Sequence, residues 1–86
     1  MYGRLITFTL LAPSLWSVVE AVAKSYGENG SARQLFKSSE NSGFIIETFP
    51  TKDEAGKKLE VLKAMQGLKE QAMAKVAIIE GAGGDK

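Results

Sequence analysis

Residues 43–62 constrain the fold more than any other part of the chain, because an apolar strand, Phe44-Ile45-Ile46-Glu47-Thr48-Phe49, runs through Pro50 directly into a helix. Phe44 and Ile46 point to one side of such a strand while Ile45 and Phe49 point to the other, so both faces need cover. Pro50 cannot donate to a strand ladder. Thr51, followed three residues later by Glu54, has the spacing of a capping box, so the helix starts within two residues of the strand's end. Its period predicts a helix over 51–66 with Ala55, Leu59, Leu62 and Met65 inward and Lys57, Lys58, Glu60 and Lys63 outward. Gly67 is placed to close it.

Upstream, residues 5–11 alternate Ile6, Phe8 and Leu10 with Leu5, Thr7, Thr9 and Leu11, the pattern of a central strand. The period then changes at Pro13 and Ser14. Ser14 is a candidate cap, and Leu15, Val18, Val19, Val22 and Tyr26 share one helical face up to Gly27. Trp16 lies at the edge of that stripe and reads as a half-buried anchor ahead of a ligand contact. Glu28, Asn29 and Gly30 form a loop, and residues 31–39 pair with the 44–49 strand. Asn41-Ser42-Gly43 fits a three-residue hairpin loop with Gly43 in the left-handed conformation. That loop sets Lys37 opposite Glu47 and Leu35 opposite Phe49, placing Arg33, Leu35, Lys37, Ile45, Glu47 and Phe49 on one side of the sheet. Residues 75–80 make a last strand, so residues 1–80 form a single α+β domain followed by a flexible glycine-rich tail, 81–86.

A chain of 86 residues buries only roughly 60 to 65% of its unfolded surface when alone, which leaves room for help from a partner chain. The net charge of +1 lacks the basic excess of a nucleic-acid binder, and the lysines of the 51–66 helix are interleaved with Glu54 and Glu60. Cysteine and histidine are both absent. Disulfides, thiol nucleophiles, zinc-finger spacings, catalytic triads and a haem histidine are thereby excluded, and no metal or cofactor is implied. Arg4 before the apolar stretch 5–12 imitates an export leader, but Thr7, Thr9, Pro13 and Glu20 interrupt it, and the sequence holds no uninterrupted membrane-length apolar span. A cytoplasmic protein, touching neither membrane nor nucleic acid, is expected.

The element order β-α-β-β-α-β is the ferredoxin-like arrangement, a four-stranded antiparallel sheet with two helices on one face. With the register above, the helix-free face carries Leu5, Thr7, Thr9, Leu11, Leu35, Ile45 and Phe49 together with Arg33, Lys37 and Glu47. Such a face is too apolar to stand in water. Two copies laid face to face would bury it, so a homodimer or higher even oligomer is expected.

The strand 44–49, the helix start Thr51-Lys52-Asp53-Glu54-Ala55 and the element order together resemble the dimeric α+β barrel superfamily, and within it the antibiotic-biosynthesis-monooxygenase-like group. That resemblance implies a homodimeric α+β barrel whose sheets meet, with a pocket between each subunit's sheet and helices for a small apolar or aromatic molecule. Some members are cofactor-free oxygenases; the haem-degrading branch uses a histidine that this chain lacks. The topology is similar also to stand-alone Lrp/AsnC-type regulatory domains, which implies a non-enzymatic effector sensor, and a structural association module is a third reading. The polar groups on offer for chemistry are Tyr2, Thr7, Thr9, Tyr26, Arg33, Lys37 and Glu47. The candidate ligand-binding residues are Thr7, Thr9, Trp16, Arg33, Lys37, Glu47 and Phe49, with Glu47 read as half of a cross-strand ion pair ahead of a general base.

Overall fold

The protein is described from a computed structural model covering residues 1–24, 26–28 and 30–83, with side chains described outside 25–29, 70–74 and 84–86. Among the described residues, five strands form one sheet: β1 (Tyr2–Leu10), β2 (Tyr26–Glu28), β3 (Ser31–Lys37), β4 (Ser42–Phe49) and β5 (Met73–Ala82). Their order is β2-β3-β4-β1-β5, with every neighbour antiparallel. The four long strands make the ferredoxin-like α+β sheet, and β2 is a three-residue addition at its edge. A 3₁₀ turn (Pro13–Leu15) leads into α1 (Trp16–Val22), and α2 (Lys52–Lys57) and α3 (Glu60–Ala72) follow β4.

Side-chain parity decides which face each strand gives to the helices. Ile6 lies opposite Ile45 and Arg4 opposite Glu47, so Arg4, Ile6, Phe8 and Leu10 share a face with Ile45, Glu47 and Phe49. That face is the buried one. Ile6, Phe8, Leu10, Val19, Ala23, Ile45, Val61 and Met65 form its core, with Trp16 at one end. The opposite face presents Leu5, Thr7 and Thr9 beside Ile46, Phe44 and Ser42. The sequence-based expectation that Arg33, Leu35, Lys37, Ile45, Glu47 and Phe49 lie on the helix-free face with Thr7 and Thr9 is therefore corrected. Their grouping on one side of the sheet is right, but that side is the one the helices cover.

The hairpin register differs as well, by an even number of residues that leaves the grouping of side chains unchanged. Arg33 pairs with Glu47, Leu35 with Ile45 and Lys37 with Gly43, four positions away from the predicted register. The connection spans residues 38–41 and is stitched by hydroxyls and backbone: Ser42 N–H donates to Ser39 Oγ at 3.1 Å, and Ser38 N–H donates to Ser42 O at 3.0 Å. Gly43 is an extended strand residue, and among the described residues the glycine with positive φ is Gly30, at 83°. What Gly43 supplies is room. A Cβ there would lie 2.4 Å from the Phe36 carbonyl oxygen and 2.8 Å from Trp16 Cη2.

The helices depart from expectation in a related way. Thr51 does cap α2, its Oγ1 accepting from Glu54 N–H at 3.1 Å. The predicted helix 51–66, however, breaks at Lys58 and Leu59, and α3 runs past Gly67 to Ala72. Ser14 sits inside the 3₁₀ turn and caps nothing by its side chain. α1 stops at Val22, short of the predicted Gly27, and the backbone of Tyr26 pairs with Arg33 in β2. β5 extends to Ala82, and Gly83 N–H donates to Met1 O at 2.7 Å, so the chain is anchored beyond the predicted strand end at residue 80. Asn29 of the predicted loop, the predicted inward Tyr26 side chain and residues 84–86 of the predicted tail lie outside what is described.

Gly43→Ala is expected to lower stability by about 1–3 kcal/mol through overpacking against Trp16 and the Phe36 carbonyl. Urea denaturation checks this. A variant as stable as the parent would show that Trp16 does not pack where the structure puts it.

Candidate functional site

The helix-covered end of β1, β4 and β5 holds a charged cluster built around Arg4, which is only 2% exposed. Arg4 occupies this position because strand parity carries it to the face of Ile6 and Phe8, one pleat beyond the apolar run. Burial of an isolated guanidinium costs several kcal/mol, so each of its nitrogens must find an acceptor. Nε donates to Glu80 Oε2 at 2.8 Å and Nη1 to Glu47 Oε1 at 3.1 Å. Nη1 also donates to Lys58 O at 3.0 Å, and Nη2 to Ala55 O at 2.8 Å. The last two acceptors are carbonyls at the C-terminal end of α2, which accounts for the break there: the guanidinium satisfies groups that a continuous helix would have used itself. Phe49 lies beneath, its ring centroid 5.1 Å from Arg4 Cζ.

Two further groups complete the cluster. Arg33 Nη1 approaches Glu47 Oε2 at 3.5 Å, and Arg33 Nε donates to Lys24 O at 3.1 Å. Glu47 is thus held between two guanidinium groups in a buried, charge-compensated setting. On the exposed side, Tyr2 Oη donates to Glu80 Oε1 at 3.0 Å. The Arg4 hydrogen bond holds the Glu80 carboxyl below its ordinary pKa, partly opposed by burial and reinforced by Tyr2. For Arg4, burial works against the charged form, but the hydrogen bonds to Glu80 and Glu47 outweigh it and the pKa is raised. The bond to Glu80 likewise raises Tyr2.

The seven candidate residues fall into three places. Glu47, Arg33 and Phe49 belong to the cluster just described. Lys37 does not face Glu47, as predicted, but pairs with Glu20 at 2.9 Å and lies with Nζ 4.9 Å from the Trp16 ring centroid. The four-position shift of the hairpin separates it from Glu47. Trp16 is 8% exposed, packs edge-on against Phe8 at 5.5 Å and donates its indole N–H to Glu40 O, which is the behaviour of an anchor. Thr7 and Thr9 lie on the opposite face of the sheet. The cluster's centre, Arg4, and its outer carboxylate, Glu80, were absent from the sequence-derived candidates. The signal for both was parity: Arg4 alternates in phase with Ile6, and Glu80 with Ile78.

Two clefts open on the helix side along β3. One, of about 410 Å³, is lined by Glu20, Ala23, Lys24, Leu35 and Lys37. The second, of about 370 Å³, is lined by Val22, Arg33, Glu60, Val61 and Ala64. Among the described residues, no group of three or more acidic side chains could hold a metal ion, and no helix is long and apolar enough to cross a membrane.

Two outcomes follow for the cluster. Glu47→Ala leaves Arg4 buried without its inner carboxylate and is expected to cost about 3–5 kcal/mol in urea denaturation. A loss under about 1 kcal/mol, the value of a surface pair, would show that the charge is not buried. Because the Glu80 pKa is depressed on folding, its contribution is complete above the ordinary carboxylate pKa of about 4.3 and is lost as pH falls through the folded-state value. Stability of the parent should therefore fall more steeply with acid than that of Glu80→Gln. Parallel acid limbs for the two proteins would refute the pairing.

No protein-family model matches the sequence, and no curated protein matches it. Solved structures do match. SnoaB, a cofactor-independent oxygenase from Streptomyces nogalater, superposes with a TM-score of 0.66 at 16% identity, covering 99% of this chain and 94% of that one. Rv0793 from Mycobacterium tuberculosis gives a TM-score of 0.68 at 17% identity, covering 99% and 96%. The crystal structure of an antibiotic biosynthesis monooxygenase gives 0.64 at 6% identity, covering 99% and 100%. Likeness at such identities speaks for the fold alone. In that respect it is unambiguous: the chain has the ferredoxin-like α+β fold, in the form these solved structures share.

Proposed function

We propose that this protein is a cytoplasmic homodimeric α+β barrel, paired through the helix-free face of its sheet, that binds a small apolar or aromatic molecule in the groove between β3 and the helices. The observation that carries the reading is the helix-free face itself. Ile79 is 65% exposed, Ile46 39% and Phe36 38%, with Phe36 stacked on Phe44 at 5.1 Å and Leu5 between Ile46 and Ile79. At about 25 cal/mol per Å² of apolar surface, covering five such side chains contributes several kcal/mol per subunit. That is comparable with the whole stability of a domain this small.

The helix-side clefts support the ligand part of the reading. Each falls in the roughly 300–1,000 Å³ range of small-molecule sites. Leu35, Val22, Val61, Ala23 and Ala64 supply apolar wall, while Arg33, Lys37, Glu20 and Glu60 supply polar groups at the rim. The cofactor-independent oxygenase among the structural matches is consistent with small-molecule binding on this scaffold.

Light scattering at micromolar concentration should report about twice the 9.3 kDa chain mass, or an even multiple of it. Ile79→Asp should give a monomer that keeps its far-UV circular dichroism, because the side chain stands on the open face. Phe49→Asp should instead unfold the chain, since Phe49 is fully buried under Arg4. A parent protein that is monomeric and melts cooperatively overturns the dimer. For the groove, 1-naphthol should raise the melting temperature of the parent and not that of Ala64→Trp. Equal shifts for both would place the ligand elsewhere.

A further inference from the structure

The helix-covered side of β3 carries an imbalance of charge. Leu35 and Lys37 alternate along β3 with Gln34 and Phe36, so they point away from the face that the proposed dimer buries. With Glu20, Ala23 and Lys24 they line the cleft of about 410 Å³. Its lining thus holds two ammonium groups and one carboxylate over an apolar floor of Leu35 and Ala23. That carboxylate is already engaged, because Glu20 Oε2 holds Lys37 Nζ at 2.9 Å. Lys24 forms no ion pair with a described residue. One positive charge is therefore left over at the mouth of the cleft.

Both cations are held in place from behind. The Lys24 carbonyl accepts from Arg33 Nε at 3.1 Å, and the N–H of Ala23 before it donates to Val19 O at 2.8 Å, so the backbone that carries the free ammonium is tied to β3 and to α1. Lys37 is fixed by its side chain, with Nζ 4.9 Å from the Trp16 ring centroid. An ammonium has three donors, and Lys37 spends one of them on Glu20, so donor capacity remains at both lysines. The second cleft along β3 differs in this respect. Its one cation, Arg33, is engaged with Glu47 and is matched in the lining by Glu60.

We infer that the ligand of the helix-side groove is an aromatic monocarboxylate, its acid group bridging Lys24 and Lys37 and its ring laid on Leu35 and Ala23. The inference rests on the reading of that groove as a small-molecule site and adds the charge of the molecule and the end at which it is held. One acid group matches the one surplus positive charge, whereas a second would be repelled by Glu20. A rigid ring loses less freedom on an apolar floor than a flexible chain of the same area.

The test is an amide chemical-shift titration of the ¹⁵N-labelled full chain with sodium 1-naphthoate, with 1-naphthol and 1-naphthylmethylammonium as the neutral and cationic arms. In the parent, 1-naphthoate should give saturable shifts centred on Ala23, Lys24 and Leu35. Two exposed ammonium–carboxylate contacts should make it bind about five- to tenfold more tightly than 1-naphthol, with the cation weakest of the three. Lys24→Ala should bring naphthoate and naphthol within about twofold of each other, because Glu20 neutralises the lysine that remains. Lys24→Arg should restore the preference, and Lys24→Glu should reverse it in favour of the cation. Naphthoate no tighter than the other two probes in the parent, or a preference untouched by Lys24→Ala, would overturn the inference. Naphthol that shifts the groove with no gain from the acid removes this inference and leaves the small-molecule reading standing. Saturable shifts with none of the three probes remove both.

Discussion

A single buried cation ties this small molecule together. Arg4 enters the core from β1 and is held by Glu47 from β4, Glu80 from β5 and two carbonyls from the end of α2. Four elements, three strands and the end of α2, therefore meet at one planar group whose donors point in fixed directions. A buried ion pair is not by itself evidence of stability, because desolvation consumes most of what the Coulomb attraction returns. Its geometry matters more here. A guanidinium without all its acceptors would be costly, and the set is complete only when the α2–α3 break, the β1–β4 register and the β1–β5 register are all as observed.

The opposite end of the same face is closed by an aromatic plug. Trp16, at the start of α1, lies edge-on to Phe8 and over the bare backbone of Gly43, with its indole N–H bound to the Glu40 carbonyl and Lys37 against its ring. Between the plug and the cation lies the aliphatic core of Ile6, Ile45, Val19, Val61 and Met65. One face of the sheet is thus sealed at both ends by specific interactions. The other carries an apolar centre that the chain itself does not cover, running into a hydroxyl-rich end with a lysine. The two helix-side clefts lie along β3.

Much of this was legible in the residues. Alternation in 5–11 and 44–49, the period change after Pro13, and Thr51 with Glu54 gave the four long strands, the two helical regions and the second helix start, and through them the ferredoxin-like order. The charged pairing of Glu47 was legible too, but not its partner. Lys37 and Arg33 differ by four residues along one strand, so both alternate in phase with Glu47, and only the loop between the strands chooses between them. A glycine at the end of a serine-rich loop reads as a left-handed turn residue. Gly43 was instead a strand residue kept bare by a tryptophan almost thirty positions earlier in the chain. The break in the second helix had no local cause either, since its carbonyls are taken up by an arginine from β1.

The division follows from what each interaction spans. Strand and helix periods, caps and proline stops act within a few residues, so the sequence by itself determined the elements, their order and which residues of one strand share a side. Which of those sides meets the helices depends on how one strand is registered against another, and a slip of one residue exchanges the faces. Nothing local fixes that slip. It was decided by the tertiary structure, where placing Ile6 opposite Ile45 lets Arg4 meet Glu47 under cover of the helices. An arrangement one residue out would bury Thr7 and Thr9 and expose Ile6, Phe8 and Leu10 on the face that now carries Leu5 and Ile46.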